Sequence, residues 1–231
     1  MRREMMFESG MFRIHAFIIG ITLYLFAFLP GPVLAITLEE IINNVQRTYC
    51  ETQDLTADFI QEATLKTLNK TQTAEGKIYY KNQGKLRWDY NDTTKQEIVT
   101  DGETLWMYLP EDNQVIVNQL SKVYRSNTSA FFLSEMGDLK KDFDIKLVGP
   151  TPGDEDKGYL LKLIPREQQS SFDELFLWVD KINFRVVETY FDDYYGNLIR
   201  IKFRNHIVNS GLPDSMFVFI IPKDAEVIEA P

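Results

Sequence analysis

Two periodicities divide the chain. Leu38, Ile41, Ile42, Val45 and Tyr49 recur at helical spacing, which puts them on one stripe of a 3.6-residue helix. Thr37 and Glu40 stand at its start with the spacing of a capping box, each satisfying the other's backbone amide. From Leu55 the period drops to two. Leu55/Ala57/Phe59, Ile78/Tyr80 and Leu86/Trp88/Tyr90 alternate with polar neighbours such as Arg87 and Asp89, the pattern of half-buried strands. Residues 104–109 and 114–120 read as two strands joined through Pro110-Glu111-Asp112-Asn113, and Asp101-Gly102 marks another tight turn. Further strands are predicted at 143–148, 159–164, 175–179, 185–190, 198–204 and 216–220.

A second helical stretch, 128–143, interrupts the strands. Asn127 or Thr128 can cap it, Phe131, Phe132, Leu133, Met136 and Leu139 crowd one side, and Gly137 weakens its middle. About 11 consecutive strands with short connections imply antiparallel pairing, because parallel pairing needs long crossovers. A sheet of that size curls or closes. The fold expected is therefore mainly β with α: a single-domain, incompletely closed antiparallel β-barrel, with helices forming a lid over an apolar cavity. The large side chains Phe59, Tyr80, Leu86, Trp88, Tyr90, Trp106, Tyr108, Phe176 and Trp178 are expected to share the face that lines it. Plain core packing would use the same residues and is what composition alone favours. The cavity gains ground only from the strand count, since a wide barrel encloses one, and from the apolar stretch 128–143.

The first 35 residues read differently from the rest. Arg2, Arg3 and Arg13 precede an uncharged apolar run from Ile14 to Leu29, followed by Pro30-Gly31-Pro32 and then Val33-Leu34-Ala35. This is the layout of a secretory signal peptide cleaved after Ala35. The run is shorter than the roughly 20 residues of a spanning helix, and prolines end it, so a membrane anchor is the weaker reading. Cleavage leaves one domain, 36–231. Removing Arg2, Arg3 and Arg13 with Glu4 and Glu8 takes the net charge from −9 to −10. The residue after the cut is Ile36, so the mature chain has no N-terminal cysteine to carry a lipid.

Composition narrows the chemistry. One cysteine, Cys50, excludes an internal disulfide framework, and two histidines, His15 and His206, exclude a multi-histidine metal site. An acidic chain is a poor partner for nucleic acid. The chain lacks the nucleotide-binding glycine loops, the nucleophile elbow and the zinc-protease helix motif. A Cys50/His206 nucleophilic pair is weighed against a buried Cys50 and a surface His206, and the second is favoured. Asp142/Asp144 and Asp192/Asp193 read as edge or turn carboxylates. Arg200, Lys202 and Arg204 alternate with Ile199, Ile201 and Phe203, which makes one face of that strand basic and solvated. No enzyme, metal or cofactor is expected.

Four segments together resemble the periplasmic outer-membrane lipoprotein carrier (LolA) family. They are Phe59-Ile60-Gln61; Gly76-Lys77 through Gly84-Lys85-Leu86-Arg87-Trp88-Asp89-Tyr90; Ile98 to Tyr108 followed by Asn113-Gln114-Val115; and Phe217-Val218-Phe219-Ile220-Ile221-Pro222 with Glu226-Val227-Ile228. The resemblance implies an unclosed antiparallel barrel with a helical lid and an apolar cavity. It also implies a non-enzymatic, periplasmic and monomeric shuttle. Such a shuttle accepts acylated lipoproteins from an inner-membrane lipoprotein-releasing ABC transporter and passes them to an outer-membrane receptor. Phe131, Phe132 and Met136 would then lie on the lid. The family's lid arginine matches Asn82 in Lys81-Asn82-Gln83-Gly84, so a latch at Asn82 lacks charge assistance, and Lys81 or Arg87 is the candidate substitute. A half-barrel lipid- or lipoprotein-binding sensor that does not shuttle cargo is the alternative within the same fold. A secreted enzyme would need acid/base residues at inward positions read here as apolar.

Overall fold

Capping starts the first helix, α1 (Leu38–Glu51). The Thr37 hydroxyl accepts from the Glu40 amide at 3.2 Å, and the Glu40 carboxylate accepts from the Thr37 amide at 2.8 Å. Ile41, Ile42, Val45 and Tyr49 are its buried stripe. Cys50 falls one step round the helix from that stripe and is exposed, while His206 is half-buried. The burial expected of this pair is thus reversed.

The computed structural model describes residues 36–91, 95–120, 139–150, 152–166 and 172–229. The predicted leader and the helical stretch through Phe131, Phe132 and Met136 lie outside the described residues. After α1 the chain forms β1 (Asp54–Leu65), β2 (Lys70–Lys81), β3 (Lys85–Tyr90), β4 (Glu97–Asp101), β5 (Thr104–Leu109) and β6 (Gln114–Gln119). A single turn, α2 (Leu139–Asp142), leads into β7 (Phe143–Gly149), β8 (Tyr159–Pro165), β9 (Leu175–Val179), β10 (Val186–Asp192), β11 (Leu198–Val208) and β12 (Glu226–Glu229). They make one twelve-stranded sheet in the order β12-β6-β5-β4-β3-β2-β1-β11-β10-β9-β8-β7. Among the described residues neither end of that order pairs further, as in an open barrel.

Two parts of the sheet depart from the pattern expected. Residues 216–220 are not a strand: Asp214–Phe217 is a turn of 3₁₀ helix. The last strand is instead Glu226–Glu229, which pairs with β6 in parallel while every other pair is antiparallel. Parallel pairing is possible because a long stretch of chain, β7 to β11 and the segment 209–225 that crosses the sheet, lies between β6 and β12. Bulges between Thr56 and Asp58, between Val186 and Glu188, and between Leu147 and Gly149 bend the strands locally.

One carboxylate holds the start of β1 to the segment that leaves β11. Asp54 is 3% exposed. It accepts from the Ser210 amide at 2.7 Å, the Ser210 hydroxyl at 3.0 Å, the Gly211 amide at 2.9 Å and the Leu212 amide at 3.2 Å. Burial pushes its carboxyl up, but these donors outweigh burial and hold it below its ordinary value of 3.8. The ion therefore contributes stability that is fully present above pH 3.8 and is lost as pH falls through the lower folded value. Replacing Asp54 by Ala should cost about 2 kcal/mol near neutral pH, and urea unfolding between pH 2 and 7 should show a shallower acid loss than in the unaltered protein.

Candidate functional site

Register decides which side chains meet. Phe59 pairs with Gly76 and Gly76 with Tyr90, while Ile78 pairs with Trp88 and Tyr80 with Leu86. Because side chains alternate across a strand, Phe59, Tyr80, Leu86, Trp88 and Tyr90 all stand on one face. The Trp88 ring lies 4.5 Å from that of Phe59 and 6.2 Å from that of Phe203. Trp88 is on β3 and Phe203 on β11, three strands away, a backbone separation of about 14 Å in a flat sheet. The sheet therefore curls toward this face, and the face is concave.

Gly76 is what allows the aromatic cluster to close. A Cβ there would stand 2.0 Å from the Asp89 carbonyl oxygen and 2.9 Å from the Phe59 ring. In the gap, Phe59 and Tyr90 meet edge to face at 4.9 Å across the strand that separates them. On β7 to β11 the same face continues through aliphatic residues. Leu161, Leu163, Leu175, Leu177 and Ile201 are all almost wholly buried there.

The other four expected residues are elsewhere. Trp106 pairs with Val99 and Val117, so it and Tyr108 face outward, and Met107 and Leu105 take the concave side. Phe176 pairs with Tyr190 and Trp178 with Glu188, again outward, with Leu175, Leu177 and Val179 inside. In both strands the inward residues are aliphatic and the larger aromatics are outside. Trp106 and Tyr108 lie 6.1 and 6.4 Å from Phe219 of the crossing segment. Phe176 stacks on Tyr190 at 4.7 Å, Arg200 lies over Tyr190 at 4.8 Å, and Lys162 over Phe176 at 5.8 Å. The basic face of β11 belongs to this outer ladder, where Arg200 pairs with Glu188 and Lys202 with Glu62.

Helix α1 covers part of the concave face. Tyr49, with Leu55, Tyr80, Val186, Phe203 and His206, lines a cavity of about 10 Å³, room for at most one water. The Tyr49 hydroxyl accepts from the Val186 amide at 3.1 Å, and burial pushes its pKa up to about 12. Burial and the Arg185 charge both lower the pKa of His206, against its bond to the Val186 backbone. An open cleft of about 480 Å³ lies where α1 begins beside β7. Its floor includes Leu38, Ile42, Phe143 and Ile145, and its rim holds the ion pairs Lys140–Glu39 at 3.3 Å and Arg166–Asp144 at 2.6 Å.

The latch candidates have other partners. The Asn82 amide donates to the Gln53 carbonyl at 2.9 Å, and its side-chain oxygen accepts from the Tyr80 hydroxyl at 3.1 Å. Arg87 faces outward and donates to Asp89 at 2.7 Å, Glu97 at 2.9 Å and the Met216 carbonyl at 3.4 Å. Lys81, also outward, binds the Leu212 carbonyl at 2.7 Å and Asp214 at 2.6 Å. Arg87 and Lys81 thus hold the crossing C-terminal segment, whose Phe217 is 1% exposed. Sequence patterning missed this outer contact. Its available signal is the apolar Phe217/Phe219 pair, whose alternation predicts a strand where the chain forms a 3₁₀ turn. Among the described residues no group of His, Cys, Asp and Glu is arranged to hold a metal ion.

The architecture is that of an open, helix-covered half-barrel with an aromatic concave face. The family model described as "Outer membrane lipoprotein carrier protein LolA" matches residues 51–220, and the chain belongs to that family. It is 29% identical over 187 residues to the outer-membrane lipoprotein carrier protein of Methylobacillus flagellatus, covering 81% of this chain and 88% of that one. To the protein of the same name in Dechloromonas aromatica it is 30% identical over 177 residues, covering 77% and 82%. Among solved structures, an uncharacterized conserved protein from Thermus thermophilus is similar in fold. The TM-score is 0.53 at 18% identity, covering 83% of this chain and 98% of that one.

A methyl group at position 76 should be enough to break the aromatic cluster. Gly76→Ala is expected to cost about 3 kcal/mol or more through overpacking, read as a fall in the urea midpoint with loss of near-ultraviolet aromatic dichroism.

Proposed function

We propose that this chain is an exported, monomeric, non-enzymatic carrier of acylated lipoproteins. Its leader is cleaved after Ala35. In the periplasm it takes lipoproteins from an inner-membrane ATP-driven transporter and delivers them to an outer-membrane receptor. Membership of the LolA family over residues 51–220 carries the reading, and the concave face supplies its physics. Each methylene kept from water is worth about 0.8 kcal/mol, so acyl chains cross an aqueous space only when covered. Phe59, Leu86 and Trp88 are buried on that face, and once uncovered they would, with Tyr90, take a hydrocarbon chain without directional demands. Phe131, Phe132 and Met136 act as the lid, with Asn82 as its latch. Arg87 and Lys81 are engaged on the opposite face. Handing cargo onward needs only a difference in affinity between lid states.

Mass spectrometry of the protein purified from its periplasm tests this directly. Co-purifying acylated peptides are expected, and their consistent absence after incubation with inner-membrane vesicles carrying lipoproteins would overturn the reading. Trp88→Glu places a carboxylate in the concave face and should abolish lipoprotein release into the soluble fraction. A Trp88→Glu protein with unaltered circular dichroism that still releases lipoprotein counts against the face as the binding surface.

A further inference from the structure

The concave face carries few polar side chains, and most of them are satisfied within the protein. The Tyr80 hydroxyl donates to Asn82 and the Tyr90 hydroxyl to Gln61, at 3.1 and 3.0 Å. The Thr100 hydroxyl accepts from the Gly102 amide at 3.1 Å. Two groups on the same face are different. The Trp88 indole N–H and the Thr189 hydroxyl are buried, the residues being 0% and 1% exposed, and neither has a hydrogen-bond partner among the described residues. Thr189 pairs with Ile201 and Leu177, and Trp88 with Ile78 and Ile98, so apolar neighbours flank both across the strands.

An orphaned buried donor destabilises the fold by about 1–3 kcal/mol, and two on one face are a cost that an isoleucine or valine would have avoided. Burying an acyl chain raises the reverse difficulty. Its ester or amide linkage brings a carbonyl oxygen, an acceptor with no donor of its own, which loses its water on entering the barrel. Indole N–H is a donor only, and a threonine hydroxyl can donate, so both match an acceptor-only group. They do nothing for a plain hydrocarbon.

We infer that the Trp88 indole N–H and the Thr189 hydroxyl are hydrogen-bond donors for the carbonyl oxygens that join acyl chains to the cargo's head group. This rests on the carrier reading and adds to it a reason to select carboxylic esters and amides over other apolar chains. The two donors are on β3 and β10, so each can serve a different acyl linkage of one multiply acylated cargo.

The test is competition binding of the purified mature chain, using a lipopeptide with two palmitoyl ester chains on S-glycerylcysteine and its dialkyl ether analogue, which lacks both carbonyls. The unaltered protein should bind the ester form roughly tenfold more tightly, the worth of about one net hydrogen bond. Thr189→Val keeps the shape and removes the donor. Replacing Trp88 by benzothienylalanine does the same with sulfur in place of N–H. Each should lower the ester-to-ether affinity ratio, and Thr189→Val should do so with ether binding unchanged. In the free protein Thr189→Val should leave the thermal midpoint unchanged or raise it, because an unsatisfied polar group has gone. Equal affinity for ester and ether in the unaltered protein overturns the inference and leaves the carrier reading standing. A fall in the midpoint of free Thr189→Val also overturns it, since the hydroxyl must then be bonded. Binding of neither lipopeptide sinks the carrier reading and this inference together.

Discussion

Curvature is the constraint on which the rest depends. A sheet with Phe59, Trp88 and Phe203 on one side would expose a broad aromatic plane to water if it were flat. Curling brings those rings within contact across three strand spacings and turns a surface into an interior. The curl in turn needs room at its inner radius, and Gly76 supplies it between Phe59 and Tyr90. A residue with no side chain thus fixes the geometry of the largest ones.

The convex side is organised by charge and by stacking instead of by exclusion of water alone. The crossing segment places Phe219 against β5 and the turn ending at Phe217 against β3 and β4, while Lys81, Lys85 and Arg87 reach Asp214 and the Leu212 and Met216 carbonyls. Further round, two stacked rings on β9 and β10 are flanked by a cation on β8 and another on β11. These contacts sit on strands whose inner residues are the aliphatic floor, so the outer ladder stiffens the barrel wall without entering it. Both sides therefore hold the barrel together: Asp54 and the outer contacts brace the wall, and the buried inner rings pack its concave face.

Much of this was legible in the sequence wherever one alternation dominated. In β1 and β3 the polar residues Asp58, Arg87 and Asp89 mark the outer face, so Phe59, Trp88 and Tyr90 were assigned together, as the register places them. Parity fails where a strand is apolar at nearly every position. Thr104–Leu109 and Leu175–Val179 offer two apolar faces each, and reading the larger aromatics as inward put Trp106, Tyr108, Phe176 and Trp178 on the wrong side. Only the register with Val99 and Tyr190 separates the faces. The parallel β12 was unreadable for another reason. It is four exposed residues, and what fixes it is Asn113 bonding to the Asp224 carbonyl and the Glu226 amide bonding to the Asn113 carbonyl, contacts between segments far apart in the chain.

The place of β1 in the sheet bears on how the barrel comes into being. Its neighbours are β2, the next strand made, and β11, almost the last, and the carboxylate at its start waits for donors 156 to 158 residues further on. A chain that emerges N-terminus first must therefore keep half of its central seam open until nearly all of it has been delivered. The edges of β1 and β6 meanwhile stand unpaired and ready to join other strands. Closure of the seam is consequently a late, non-local and slow event, and truncation of even the last twenty residues would leave a barrel that lacks its final edge strand and the outer brace across β3 to β5.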